Sequence, residues 1–156
     1  MSKAQEVGTK LIAQNRKARF NVSIEDTVEA GLALTGTEVK SCREGRVSLA
    51  DAYAAIRDGE VWLLQCHINP YEFGNRANHD PVRPRKLLLH RGEIARLDAK
   101  VSRGGRVLVP LRLYFKAGLV KAEIATGTPK KLFDKRATEA GRDAERQMQR
   151  QLGRRR

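Results

Sequence analysis

Val107-Leu-Val-Pro-Leu-Arg-Leu-Tyr-Phe-Lys-Ala-Gly-Leu-Val-Lys-Ala-Glu-Ile124 decides how this chain folds. Val107, Val109, Leu111, Leu113 and Phe115 recur at every second position, the period of a strand with one buried face. Lys116-Ala117-Gly118 reads as a turn, after which Val120, Ala122 and Ile124 resume the alternation and leave Lys121 and Glu123 facing outward. The same period runs upstream through Phe20, Val22 and Ile24, and after Glu25-Asp26-Thr27 through Val28, Ala30, Leu32 and Leu34. That phase puts Glu29 and Gly31 on the outer face. Between Val61 and Ile68 the apolar residues Trp62, Leu64, Cys66 and Ile68 alternate with Gln65 and His67, and Asp58-Gly59 joins this run to Ala52–Ile56 as a hairpin.

Helical signals are fewer. Thr35-Gly-Thr-Glu38 has the form of a capping box, Val39 and Cys42 give one apolar stripe, and Gly45 is a stop. A second helical stretch covers Lys86 to Ser102, with Ile94, Leu97 and Val101 on one face and Gly104-Gly105 after it. Several antiparallel strands with a few helices outside imply a mainly β fold, a small closed or partly open barrel, the usual way to remove exposed edges at this length.

Charge narrows the partners. The 156 residues carry a formal net charge of +13, which favours phosphate-rich surfaces through counterion release. Aromatic content of 5% argues against a reader that stacks many single-stranded bases. No apolar run near the N-terminus is long enough for a signal peptide or a spanning helix, so a cytoplasmic protein without a membrane partner is expected. Cys42 and Cys66 read as reduced core residues of such a protein.

Asp80-Pro-Val-Arg-Pro-Arg-Lys-Leu-Leu-Leu-His90 combines two functions. Its prolines make Asp80–Arg85 a stiff, non-helical strap presenting Arg83, Arg85 and Lys86 to solvent, and Leu87-Leu88-Leu89 fastens the strap to the body. From Pro129 onward, ten basic residues face four acids. Ala137, Ala140, Ala144, Met148 and Leu152 follow helical spacing, but a stripe made mostly of alanine buries too little to repay ordering, so the free tail is expected to be disordered. An enzyme is not expected. His67, His79 and His90, with Cys42, Cys66 or Asp80, match no metal-ligand spacing, there is no glycine-rich phosphate loop, and no cofactor or metal is implied.

Glu29-Ala-Gly-Leu-Ala-Leu34, Gly36-Thr-Glu-Val-Lys-Ser41, Asn69-Pro-Tyr71, the Asp80–His90 segment, Val109-Pro-Leu111 with Tyr114, and Asp134-Lys-Arg136 together resemble the SsrA-binding protein family (small protein B, SmpB). The six occur in the family's order and spacing across residues 15 to 136, with a basic tail of fitting length beyond. The resemblance implies an OB-like antiparallel β-barrel of about six strands with about three outer helices. It also implies the partners: the tRNA-like domain of transfer-messenger RNA (tmRNA) and the stalled bacterial ribosome, in trans-translation, with the free protein monomeric. Residues 1–14 are then a flexible N-terminus, 15–128 the RNA-binding barrel and 129–156 the basic tail.

By resemblance, Glu29, Leu88 and Lys121 match positions that bind the tRNA-like part of tmRNA, which requires one leucine of the Leu87–Leu89 block to be exposed. Asn15, Arg16 and Arg19 match a basic lead-in segment, and Arg83, Arg85 and Lys86 join the tmRNA face. In the tail, Lys130, Lys131, Phe133, Asp134, Lys135, Arg136, Arg142, Arg146, Met148 and Arg150 are implied to contact the ribosome, the tail folding along the empty message channel and decoding centre. Pro129 stands where a glycine is common in the family, and Phe133 where a tyrosine or histidine is. A general RNA-binding or ribosomal protein with the same barrel would account for the charge, though not for six motifs in order.

Overall fold

The computed structural model describes residues 8–74 and 78–154. In chain order the elements are β1 (Thr9–Gln14), α1 (Ala18–Asn21), β2 (Val22–Leu32), α2 (Gly36–Arg43), β3 (Val47–Ser48), β4 (Tyr53–Arg57), β5 (Glu60–Leu64), β6 (His67–Ile68), β7 (Arg85–Leu88), α3 (Arg91–Ser102), β8 (Val107–Lys116), β9 (Leu119–Pro129) and α4 (Leu132–Arg154). The pairings run β8-β4-β5-β7-β2-β9, and β9 pairs again with β8, so six antiparallel strands form a ring. β1 lies along β8 outside that ring, and β3 pairs with β6 as a separate small sheet. This is the expected mainly antiparallel β architecture, with four helices among the described residues rather than about three.

Two turns set the registers. Asp58 and Gly59 (φ 53° and 75°) and Ala117 and Gly118 (φ 51° and 78°) each place two residues in the left-handed region, the geometry of a two-residue hairpin turn between twisted strands. The main core gathers Ala30 and Leu32 from β2, Val61 and Leu63 from β5, Leu87 from β7, Leu97 from α3, Leu113 from β8 and Ala122 and Ile124 from β9. α2 is capped as expected, with the Thr35 N–H donating to Glu38 Oε1 at 2.8 Å, and Cys42 and Cys66 are both buried free thiols. Burial pushes them up, Cys42 to about 12 and Cys66 to about 11, so neither is a thiolate at neutral pH.

Several expectations are corrected. The single face Val107-109-111-113-115 is broken by a register shift between Pro110 and Arg112. A bulge inserts one residue and reverses the strand's parity. Before it, Leu108 joins the main core while Val109 and Leu111 pack with Ala18, Ala125 and Ile24 in a second cluster; after it, Leu113 and Phe115 turn to the main core. In β5 Val61, Leu63 and Leu64 are buried, Leu64 as expected, while Trp62 is half-buried. Gln65, at φ 56°, then reorients the chain so that Cys66 and Ile68 are buried.

Residues 86–88 are strand rather than helix, because Leu87 pairs with both Leu32 and Val61. Phe20 lies in α1, not on a strand. Of the N-terminus expected to be flexible, 1–7 lies outside the described residues, while Thr9–Gln14 is β1, where Ile12 is buried and Ala13 packs against the main core as Leu11 stays exposed. The tail runs as a helix of 23 residues, Leu132–Arg154, and its described side chains are exposed.

Candidate nucleic-acid interface

Strand register assembles the outer face. Gly31 of β2 is paired with Leu88 of β7 on one side and with Lys121 of β9 on the other, and Lys121 faces Tyr114 of β8. Two residues along, Glu29 faces Glu123, which faces Arg112. Leu88, Gly31, Lys121 and Tyr114 thus share one row, and Glu29, Glu123 and Arg112 the row beside it. A Cβ on Gly31 would come within 3.2 Å of the Leu88 Cβ, so glycine lets this leucine lie against β2 while remaining 52% exposed.

Carboxylates directly opposed across two strands repel, and the surrounding donors compensate. Arg112 Nε donates to Glu123 Oε2 at 3.1 Å, and its guanidinium sits 4.8 Å from the centre of the Tyr114 ring. The Tyr114 hydroxyl donates to Glu29 Oε2, and Lys116 Nζ lies 3.3 Å from both Glu29 oxygens. The Tyr114 hydrogen bond, aided by Lys116 and Lys121 against partial burial, holds the Glu29 carboxyl below the usual carboxylate range. Burial and then Glu29 push the Tyr114 phenol up, so it stays a donor. Glu29 is therefore a fixed anion, charged throughout the physiological range and part-exposed, that can accept hydrogen bonds.

A groove of about 760 Å³ runs along this face, lined by Glu29, Gly31, Lys86, Leu88, Arg91 and Lys121 among others. Lys86 bridges to Glu60 at 2.8 Å with both side chains part-exposed. Three residues identified from separate strands, Glu29, Leu88 and Lys121, thus meet in one groove together with Lys86.

Arg85 does not reach this face, which corrects its expected exposure. It is fully buried, donating to Glu38 Oε2, to the Cys66 carbonyl at 2.6 Å and to the Pro81 carbonyl at 3.1 Å. The strap turns at Pro81-Val82, and Arg85 opens β7 on the same inner side as Leu87, with Leu88 left outside. Burial pushes the Glu38 carboxyl up, but donors from Arg83, the Thr35 N–H and Arg85 outweigh it and hold it below the ordinary value. Arg83 spends part of its guanidinium on Glu38 at 2.6 Å and is part-exposed.

A second basic region lies at α1. Asn15 is taken up by the backbone, its side chain donating to the Pro110 carbonyl at 3.1 Å and its N–H to the Leu111 carbonyl at 2.8 Å, beside the β8 bulge. Arg16 and Arg19 are exposed, and Arg16 lines a polar groove with Lys17, Phe20, Arg142, Asp143 and Arg146. The Arg142 guanidinium sits 6.0 Å from the Phe20 ring centre. The Lys130 N–H donates to the Asn21 carbonyl at 2.9 Å where Pro129 closes β9. Lys131, Arg136, Met148 and Arg150 are exposed, whereas the side chains of Phe133, Asp134 and Lys135 lie outside the described set.

Gly31, Arg112, Tyr114 and Lys116 are the residues of this face that sequence reasoning gave no role. Alternation alone marks Gly31 as outward but says nothing of Leu88 lying beside it. The Tyr114–Glu29 bond spans β9, and no local pattern foretells it. Among the described residues no group of His, Cys, Asp and Glu could hold a metal, and no helix is long and apolar enough to cross a membrane. His79 is a structural group, bonded to the Ile68 carbonyl and to Thr37, both at 2.9 Å.

A ring of antiparallel strands whose outer groove sets Lys86, Arg91 and Lys121 among Glu29, Asp58, Glu60 and Glu93 around the exposed Leu88, on a chain of charge +13, has the make-up of a nucleic-acid-binding module. The family model described as SmpB protein matches residues 12–154, and the chain belongs to that family. The SsrA-binding protein of Thermobifida fusca is 60% identical over 149 residues, 96% of this chain and 93% of that protein. The SsrA-binding protein of Acidothermus cellulolyticus is 56% identical over 97% of this chain and 96% of its own. A solved structure described as "tmRNA-SmpB: a journey to the center of the bacterial ribosome" is 47% identical with a TM-score of 0.65, covering 77% of this chain and 85% of that one.

Proposed function

We propose that this chain binds the tRNA-like domain of tmRNA through the groove of Glu29, Lys86, Leu88 and Lys121 and carries it to stalled ribosomes. The observation that carries this reading is the meeting of Glu29, Leu88 and Lys121 in one groove from three different strands. Lysines neutralise the RNA backbone, Leu88 packs against a sugar or base, and Glu29 accepts hydrogen bonds from base or sugar donors. Phosphate repels a carboxylate, so Glu29 supplies discrimination rather than affinity. The names of the relatives and of the solved neighbour support the same partners.

The tail is the second surface. Its arginines and lysines outnumber its acids, and the side chains of its helix that the structure describes are exposed. In free solution it is largely disordered, and it orders along ribosomal RNA in an unoccupied message channel, where neutralised charge favours the helix.

The test is affinity for the tRNA-like domain against alanine transfer RNA at about 150 mM salt, where non-specific phosphate binding is weak. A large preference that survives removal of residues 134–156 supports the groove. Equal binding to both RNAs, or loss of binding with the tail, would reduce the protein to a non-selective polycation.

A further inference from the structure

Beyond β6 the chain enters a loop that displays two aromatic rings. Tyr71 and Phe73 meet edge to face, with centroids 5.6 Å apart and planes at 69°. Phe73 is 70% exposed, and the Lys40 ammonium lies 5.2 Å from the Tyr71 ring centre. An aromatic left so bare on a loose loop would be unremarkable, but the backbone beneath it is held at many points. The Asn78 side chain clamps the Tyr71 backbone from both sides, accepting from its N–H at 3.0 Å and donating to its carbonyl at 2.6 Å. The Gly74 N–H closes a turn onto the same carbonyl at 2.9 Å. A Cβ on Gly74 would sit 2.9 Å from Asn78 Nδ2 and 3.1 Å from the Thr37 methyl. Ser41 of α2 donates to the Asn69 carbonyl at 2.7 Å, and the His79 ring ties Ile68 to Thr37 at the start of α2.

α2 therefore acts as the loop's foundation, and it also supplies charge. Lys40 and Arg43 are exposed on it three residues apart, and neither makes an ion pair with a described residue. Glu72 is the acid between the two rings, exposed to solvent. The strap joins this region to the groove: Lys86 lines the groove, and three residues earlier Arg83 bonds Glu38 of α2.

We propose that Tyr71, Phe73 and Lys40 form a stacking platform for one unpaired nucleobase of the RNA bound in the groove. This rests on the RNA-binding reading above. A preorganised ring stacks a base without a large ordering cost, and the backbone on either side of Phe73, at Tyr71 and Gly74, is already held. Lys40 and Arg43 hold the phosphates flanking that base. Glu72, on the same loop, disfavours a second anion and leaves space for the neutral base.

The experiment measures affinity of the full-length protein for the tRNA-like domain of tmRNA at fixed salt, for wild type and for Phe73→Ala, Phe73→Leu, Phe73→Trp and Leu88→Ala. Loss of one stacked base weakens binding about 5- to 150-fold, so Phe73→Ala and Phe73→Leu fall in that range while Phe73→Trp restores binding. Because Phe73 is exposed, the fold survives each change, which far-UV circular dichroism checks. Rescue by Phe73→Leu would mean simple apolar contact, the signature of a protein partner, and overturns the platform. Unchanged affinity in all three Phe73 variants alongside weakening by Leu88→Ala overturns it while leaving the groove intact. Failure of the wild type to prefer this RNA removes the groove reading, and the platform with it.

Discussion

Replacing Arg85 with methionine separates a structural cation from an RNA-binding one. The side chain is fully enclosed and satisfies Glu38 Oε2 and the Cys66 carbonyl. Methionine fills much of the same volume but donates nothing. Glu38 keeps the Thr35 N–H at 2.8 Å and Arg83 at 2.6 Å on Oε1, while its buried Oε2 loses the Arg85 donor. The Pro81 carbonyl keeps the Ile68 N–H at 2.9 Å, whereas the Cys66 carbonyl loses its arginine.

Removing one partner of a buried pair costs about 3–5 kcal/mol, and an unsatisfied buried carbonyl about 1–3 kcal/mol. Burial of the methionine stem returns about 1.5–3 kcal/mol. The expected net loss is about 3–4 kcal/mol on these central values, a large part of the stability of an ordinary domain. Urea unfolding of Arg85→Met with linear extrapolation reads this directly. The folded fraction should bind RNA with an unaltered salt slope, since Arg85 touches no phosphate. A loss under about 1 kcal/mol, together with a slope lower by about one charge, would place Arg85 on the RNA surface and refute the buried-network account.

Four further outcomes follow from the same contacts. The Glu38 carboxyl is held below its ordinary 4.5, so its contribution is present above that pH and is lost as pH falls through the folded value; acid titration of stability should steepen below pH 4.5, and Glu38→Gln should flatten that limb. Tyr114→Phe removes the leading cause of the Glu29 depression, so carboxyl-carbon NMR should show Glu29 titrating higher, and no change would mean the hydroxyl does not hold it. Glu29→Ala should erode discrimination between the tRNA-like domain and alanine transfer RNA with little change in salt slope, and a steep change in slope would sink the hydrogen-bonding role. Gly127→Ala should lower stability by about 1–3 kcal/mol or more in thermal unfolding, because its Cβ would lie 2.3 Å from the Ser23 carbonyl oxygen, and a neutral result would mean the β2–β9 pairing yields there.

Much of the ring was legible because alternation and turn residues are local. Asp58-Gly59 and Ala117-Gly118 adopt the expected hairpin geometry, and Glu29, Leu88 and Lys121 stand on the outer face. What escaped notice was non-local or parity-changing. A bulge such as the one between Pro110 and Arg112 reverses which residues are buried, and Pro110, which has no N–H to give the ladder, is its one local mark. Alternation puts Trp62 on the buried side of β5, yet Val61 and Leu63 fill the main core and Trp62 is half-buried. Arg85 was read as exposed because an arginine is rarely buried without a partner. That partner, Glu38, lies 47 residues away, hidden in what looked like a simple capping box.

The distribution of ion pairs divides the labour between the two proposed RNA surfaces. On the body, carboxylates sit on neighbouring cations: Glu60 on Lys86, Glu123 on Arg112, Glu29 on Lys116, Glu25 on Arg106 and Asp26 on Lys100. A surface so paired attracts RNA weakly at long range and discriminates at contact, where Glu29 and Leu88 act. The tail has ten basic residues to four acids, a ratio that leaves most of its cations without a carboxylate of their own segment. The tail's net +6 is nearly half of the chain's +13 held in under a fifth of its length, so counterion release is densest there. Removing residues 134–156 should flatten the salt dependence of ribosome association while leaving the preference for the tRNA-like domain in place. If the slope stays with the truncated protein, the body's cations are released from their partners on binding, and the groove rather than the tail carries the electrostatic attraction.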